Sequence, residues 1–307
     1  MLPFAHYPKI RNLGHPEVDT IFRGAVEVTE KIDGSQFSFG NIEGQLFAMS
    51  KRARIDDNNI PKMFAAAYRG AKKRFEAGIL PEGVVFRGEN LSRPKHNVLK
   101  YERVPRDNFI LFDVMIGART ERYLQYKDIA EWAKKIDYEV VPLLFSGYVK
   151  DLEHLQKLAE EIKPVLGGEH VEGMVFKNYF MFNEYTGKPM FAKYVRPNYR
   201  EEHSILSKNG KAGKPKATPR EIGKAYANEV RWNKCLMRLQ EEGRLTHSPK
   251  DIGLIIKEAQ LDLEEEDKEV IKERLWKLYR RDIMTGAVRG IAPWYKELLN
   301  KKQFEEN

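Results

Sequence analysis

The chain has a single cysteine, Cys235, in 307 residues. That excludes an intrachain disulfide framework and a multi-cysteine zinc site, and a reducing, cytoplasmic setting is expected. Long apolar runs are also missing. None approaches the roughly 20 residues that span a bilayer, which excludes an integral helical membrane protein. The opening Met1 to Ile10 lacks a basic segment followed by an apolar stretch, so no secretory leader is expected. No repeat of fixed period occurs. The hydrophobic fraction is nonetheless 42%. That is enough for a core, so wholesale disorder is excluded.

What is present is charge, with 53 Lys and Arg against 45 Asp and Glu for a net +8. The cations cluster at Lys51 to Arg54, Arg69 to Arg74, Arg93 to Arg106 and Lys208 to Arg220, which suits a polyanionic partner. The stretch from Ser207 to Arg220 holds five basic residues and no acid. Its Gly and Pro content marks a boundary. The expected organisation is a domain over 1–205, a basic linker over 206–219 and a helical domain over 220–307.

Before the linker, strands are predicted at Ala25 to Val28, Val84 to Phe86, Phe109 to Val114, Val140 to Phe145, Gly173 to Phe176 and Met190 to Val195. A hairpin turns at Asn41 to Gly44. Amphipathic helices are predicted over 61–77, 127–136 and 151–162. After the linker, Thr218-Pro219-Arg220-Glu221 starts a helix that Gly243 ends, and Ser248-Pro249 starts another. A basic helix is predicted from Val270 to Met284, and a short one from Ala292. The acidic run Glu264 to Asp267 reads as a helix start or a solvated face. Trp232 and Trp276 are expected in the core of this region.

The chemistry sits at strand ends. Glu30-Lys31-Ile32-Asp33-Gly34-Ser35-Gln36 puts a lysine after a strand and beside a tight turn, where it can serve as a nucleophile once its pKa falls. Arg52 ends the hairpin and suits a phosphate. Glu89 in Phe86-Arg87-Gly88-Glu89 and Asp113 after Phe112 end apolar strands with carboxylates, which suit Mg²⁺ or ribose hydroxyls. Phe112 suits stacking on a base. Glu172-Gly173-Met174-Val175-Phe176-Lys177 and Phe191-Ala192-Lys193-Tyr194-Val195-Arg196 add cations suited to charge developing on phosphorus. Taken singly, each is also what an ordinary solvated strand end looks like.

Their order is more informative. Lys31-x-Asp33-Gly34, Arg52, Glu89, Phe112-Asp113, Glu172-Gly-x-Val-x-Lys177 and Lys193 follow the succession of motifs in covalent nucleotidyltransferases, the superfamily of ATP-dependent DNA ligases, RNA ligases and capping enzymes. Within it the chain resembles the RNA ligase 2 family. EKIDGSQFS is similar to that family's E-K-I-H-G-x-N-F-S signature. Some thirty residues precede Lys31, so a large leading domain is not expected. A helical region, not an OB-fold, follows the last motif, and Pro293 to Leu299 resembles the closing P-x-W-x-x-L pattern.

This resemblance implies an α+β fold: an ATP-grasp-like adenylylation domain of antiparallel sheets flanked by helices, then a small all-α domain. It implies lysyl-AMP formation on Lys31 from ATP and transfer of AMP to a 5′-phosphate. Attack by a 3′-hydroxyl follows, at nicks in duplex RNA or RNA–DNA hybrids during RNA repair. Lys31, Lys177 and Lys193 would be catalytic. Glu30, Ile32, Gln36, Arg52, Glu89, Phe112, Glu172, Lys177 and Lys193 would surround the nucleotide. Glu172, Asp33 and Glu89 would hold Mg²⁺, with Mn²⁺ able to substitute. Arg52, Arg196, Lys208, Lys211, Lys214 and Lys216 would contact the strand. A monomer in the cytoplasm is implied, the host's if the chain is phage-encoded. The sequence departs from the family at Asp33, Gln36 and Val195, the last in place of a second lysine. Arg196 lies one residue further, on the opposite face of a regular strand. Two other readings stay open: a minimal ATP-dependent DNA ligase or guanylyltransferase without its OB-fold, and a catalytically silent nucleic-acid-binding relative.

Overall fold

A computed structural model describes residues 6–117, 122–184, 186–196 and 218–305. The fold is α+β and rests on two sheets. The first runs β1 (Arg11–Asn12), β12 (Pro189–Val195), β11 (Gly173–Phe182), β2 (Val26–Lys31), β10 (Leu143–Gly147). The second runs β5 (Arg54–Ile55), β4 (Gln45–Ser50), β3 (Ser35–Ile42), β6 (Val84–Asn90), β7 (Phe109–Ile116), β8 (Arg122–Tyr123), with β9 (Glu139–Val140) paired to β7. Pairing is antiparallel except for β1 with β12 and β9 with β7.

Side-chain alternation along the strands sorts the residues into layers. On the first sheet Val26, Val28, Met174, Phe176, Ala192 and Tyr194 pack outward beneath α3 (Leu152–Glu161). On the second, Phe37, Phe39, Phe86, Phe109 and Leu111 pack outward beneath α1 (Ala65–Glu76) and α2 (Tyr126–Lys135). The inner faces meet where Phe191 of the first sheet joins Met49, Val85 and Met115 of the second. Lys31, Lys177 and Lys193 therefore share the inner face of one sheet, opposite Gln36, Arg87 and Glu89 of the other.

The predicted hairpin is β3–β4. Its turn residues Glu43 and Gly44 both have positive φ, 51° and 73°, the geometry that matches strand twist in a two-residue loop. The strand predicted over Val140 to Phe145 is instead two strands, one in each sheet. Pro142 lies between them, and without an N–H it cannot continue a ladder.

The C-terminal region also differs from expectation. The first predicted helix is two, α4 (Pro219–Lys224) with the Thr218–Glu221 capping box, and α5 (Glu229–Glu241), begun by the Asn228 side chain. The predicted basic helix is the outer part of α6 (Ile252–Ala287), a 36-residue helix about 54 Å long. It follows a capping box made by Ser248 and Asp251. Helix α7 (Ile291–Glu305) comes last. Glu264 to Asp267 do not start a helix; they lie mid-α6, with Glu264 and Glu265 solvated as expected but Glu266 and Asp267 buried. Cations explain the burial. Arg231 of α5 reaches Asp262 at 2.7 Å and Asp267 at 2.5 Å, and Arg238 reaches Asp262 at 2.5 Å. Because charge ties α5 to α6, little apolar core is built there, and Trp232 and Trp276 are 47% and 45% exposed rather than buried. Among the described residues no helix is long and apolar enough to cross a membrane.

Gly173 fixes how closely β11 and β12 approach at the head of the cleft. A Cβ there would lie 1.9 Å from the carbonyl oxygen of Tyr194. We expect Gly173→Ala to lower unfolding free energy by roughly 1–3 kcal/mol, the usual cost of overpacking. Chemical denaturation read by circular dichroism measures it.

Candidate active site

Lys31 ends β2, and Gly173 at the start of β11 is its registered partner. That places Glu172 beside the lysine, and Nζ donates to Glu172 Oε2 at 2.6 Å. Glu89 comes from β6 of the facing sheet, next to Gln36 of β3. Burial opposes the charge on Lys31, but Glu172, Glu89 and Asp33 outweigh it and hold the amine above its ordinary range. The resting side chain is an ammonium. Burial acts the other way on the acids, raising Glu172 to about 7 and Glu89 to about 8 despite the pull of Lys31. Glu89 Oε2 is buried without a hydrogen-bond partner among the described residues. Two carboxylates with a spare oxygen fit a magnesium ion, which usually takes one or two carboxylates and completes its shell with phosphate and water.

Asp33, also expected as a metal ligand, has another task. Oδ2 accepts from the backbone N–H groups of Val98 and Leu99, both at 2.7 Å, and Oδ1 from Asn97 Nδ2 at 3.1 Å. Its own N–H donates to Tyr101 Oη at 2.8 Å. Asp33 thus pins the loop at Asn97–Leu99 against the cleft. Among the described residues no three Asp, Glu, His or Cys side chains converge as a metal site. Glu172 and Glu89 are what faces Lys31.

A bulge brings Phe112 and Asp113 to the same side. The β6–β7 register pairs Arg87 with Asp113 and Gly88 with Leu111, leaving Phe112 unpaired. Lys177 Nζ donates to Asp113 Oδ2 at 3.0 Å and to the Phe112 carbonyl at 2.6 Å, and Tyr7 Oη donates to the same Asp113 oxygen at 2.6 Å. Lys177, 2% exposed, therefore lies beneath the cleft floor and not on its walls. The Phe112 ring packs against Tyr7, with centroids 5.3 Å apart. Ile32 is buried with Leu99, Tyr101 and Ile110, and Phe112 packs against that cluster. Glu30 points to the other side of β2, where it accepts from the Val165 N–H at 3.0 Å; burial raises it to about 7.

From Asn178 back to Gly173 the β11–β12 ladder is regular, with Val195 opposite Gly173 and Tyr194 opposite Met174. Lys193 and Val195 line the cleft, and Arg196 does not. Arg196 therefore does not replace the missing lysine from the cleft face. Two cavities of about 440 and 450 Å³ flank Lys31, and both reach Lys193 and Asn97. The second holds Gln36, Arg52 and Glu89. Helices α5 and α6 close both cavities. Arg52 meets Glu258 at 2.8 Å, Glu265 at 3.3 Å and Glu242 at 3.6 Å, and Lys193 meets Glu266 at 3.6 Å. Lys208, Lys211, Lys214 and Lys216 lie outside the described residues.

Sequence reasoning missed three groups. Arg87 is buried on the cleft side and donates to Ser38 Oγ at 3.3 Å. Its two-residue spacing from Glu89 was the available signal. Ser35 Oγ lies 2.8 Å from His96 Nε2 and donates to Glu241 of α5, a contact between distant segments with no local signature. Lys234 and Arg238 reach the cleft from α5, and their helical spacing with Arg231 was legible as one cationic face.

Residues 24–195 match the RNA ligase family. None of the curated proteins compared matches the chain. Among solved structures, Naegleria gruberi RNA ligase with PPi is similar at 17% identity and a TM-score of 0.49, over 65% of this chain and 58% of that one. A mutant of that enzyme with ATP and Mn matches at 17% and 0.49 over 65% and 57%, and another with AMP and Mn at 17% and 0.49 over 65% and 58%. The chain thus spans less than two thirds of the length of these structures. The family match covers more than half of the sequence, and this protein belongs to the RNA ligase family.

Proposed function

We propose that the chain is an ATP-dependent RNA ligase of the RNA ligase 2 branch, sealing 3′-hydroxyl to 5′-phosphate ends in nicked duplex RNA or RNA–DNA hybrids. Residues 1–205 act as the adenylylation domain, 206–219 as the basic linker and 220–307 as the helical domain of a monomer. The observation that carries this reading is the Lys31 amine at the head of a cleft, 2.6 Å from Glu172 and facing Glu89. The helical segment after β12 supports the choice of branch.

In the first step Lys31 Nζ attacks the α-phosphorus of ATP. A P–N bond forms, the bond to the bridging oxygen breaks, pyrophosphate leaves and the amine loses its proton. In the second, a 5′-phosphate oxygen attacks the same phosphorus, and the P–N bond breaks. In the third, a 3′-hydroxyl attacks the activated 5′-phosphorus, and AMP leaves. Positioning and fixed charge supply most of the rate in such transfers. A divalent cation held by Glu172 and Glu89 would screen the charge that keeps Lys31 protonated. Lys193 and Arg52 meet phosphates on the cleft walls. Gln36 lines the phosphate side, while Ile32, Phe112 and the backbone at Glu30 border the base. Lys177 acts from below by holding Asp113 and the Phe112 carbonyl.

Incubation with Mg²⁺ and ATP labelled at the α-phosphate tests the nucleophile. We expect an acid-labile label on the wild type and none on Lys31→Ala; label of equal intensity on the variant would contradict the assignment. The first step also has a definite pH dependence. Lys31 must lose a proton, and Glu172 and Glu89, raised to about 7 and about 8, must be ionised to hold the cation. Both requirements favour alkaline solution. We expect the rate of lysyl-AMP formation to fall as pH drops from 8.5 to 6, by roughly tenfold per unit where one deprotonation limits it. A flat profile in single-turnover labelling would contradict this.

A further inference from the structure

The carboxylates of the C-terminal helices stand where the proposed chemistry needs phosphates. Four acids from this region face the cations around Lys31. Arg52 is engaged by Glu242, Glu258 and Glu265. Glu266 is 8% exposed. Burial disfavours its charge, yet Lys193, Lys234, Lys51 and Lys9 outweigh the burial and drive its carboxyl well below the ordinary range. Glu266 pairs with Lys193 at 3.6 Å, and Lys51 and Lys9 line the same cavity, so cations there draw on α6 for negative charge.

The cations extend beyond the residues given a role above. Lys9 Nζ donates to the main-chain carbonyl of Glu265, and Arg11 Nη1 donates to the same carbonyl at 2.9 Å. Arg11 is also held by Glu17 at 2.5 Å, which fixes its direction. Lys9, Lys51, Arg52 and Lys193 line one cavity, and Arg11 flanks it on β1, the strand paired to β12 at Ala192. The row runs from the hairpin end, past Lys193, to the outer edge of the first sheet. Five cations in succession suit a polynucleotide backbone better than a single nucleotide, because successive phosphates need successive cations.

We infer that Lys9, Arg11 and Lys51 extend Arg52 and Lys193 into a phosphate track for the nucleic-acid strand, and that the acidic face of α6 occupies this track until the strand displaces it. This rests on the reading of the chain as an RNA ligase. At Arg52 and Lys193 the α6 carboxylates, and at Lys9 and Arg11 the Glu265 main-chain carbonyl, then compete with phosphates for the cations, so strand binding requires α6 to leave the cleft. Glu241, which meets Ser35 beside the same cavity, acts as a latch on that closure.

The test is binding of a fluorescein-labelled RNA duplex with a 5′-phosphorylated nick, followed by anisotropy across a salt series. The proteins are the full-length wild type, Glu265→Gln, and the triple variant Glu258→Gln/Glu265→Gln/Glu266→Gln. Glu265 is half-exposed, so the single variant keeps the test open if the triple one folds poorly. We expect Kd to tighten several-fold for Glu265→Gln and at least tenfold for the triple variant. Adding Lys9→Ala/Arg11→Ala should reverse that gain and flatten the salt slope by about 0.9 for each phosphate that is no longer neutralised. Unchanged or weaker RNA binding by the Gln variants overturns the inference, as does tighter binding of inorganic pyrophosphate without tighter binding of RNA. Lysyl-AMP labelling of the same proteins separates the two readings. Labelled protein whose Gln variants bind RNA no better defeats the track alone, and unlabelled protein whose variants bind RNA more tightly defeats the ligase reading alone.

Discussion

An ammonium enclosed by carboxylates organises this molecule. Lys31 lies 2.6 Å from Glu172, with Glu89 and Asp33 adding to the field. Neither partner is comfortable without the other: burial alone would neutralise each of them. The pair holds the lysine as an ammonium, which keeps the amine unreactive, while burial leaves Glu172 raised to about 7. Chemistry at this lysine needs a second positive charge to take over the carboxylates. The buried Glu89 oxygen without a partner is where such a charge fits.

The sheets exist in this form to hold that pair. Outward-facing Val, Phe and Met residues on both sheets lock the strands under helices, so the inner faces are free to carry polar groups. Gly173 lets β12 approach so closely that Glu172 and Lys193 belong to one wall. Below the floor, Lys177 and Asp113 form a second buried pair, tied by Tyr7 to the segment before β1. Above it, the closing helices are tied to each other by buried charge beside a small apolar cluster, and they meet the cleft through charge as well. Contacts of that kind are sensitive to competing ions, unlike a hydrophobic interface.

Much of this was legible because it is local. Period-two patterns gave the strands, and the strand-end positions of Lys31, Glu89, Glu172 and Lys193 followed from them. The capping boxes at Thr218 and Ser248 marked helix starts that the structure contains. What was not legible depends on distant partners. The bulge that leaves Phe112 unpaired arises from the register of β6 on β7. Asp33 looked like a ligand because the loop at Asn97 that consumes its oxygens lies far along the chain. Glu266 and Asp267 looked solvated because their cations come from β12 and α5. The regular end of β12, which leaves Arg196 off the cleft face, was one of two outcomes the sequence allowed.

The central claim is that one lysine among the many in this cleft carries the covalent chemistry. Peptide mass spectrometry after incubation with ATP and Mg²⁺ addresses it directly, since Lys51 and Lys193 line the same cavity as Lys31. The account predicts AMP on the peptide bearing Lys31 and on no other. AMP on Lys51 or Lys193, or on no peptide at all, would contradict it.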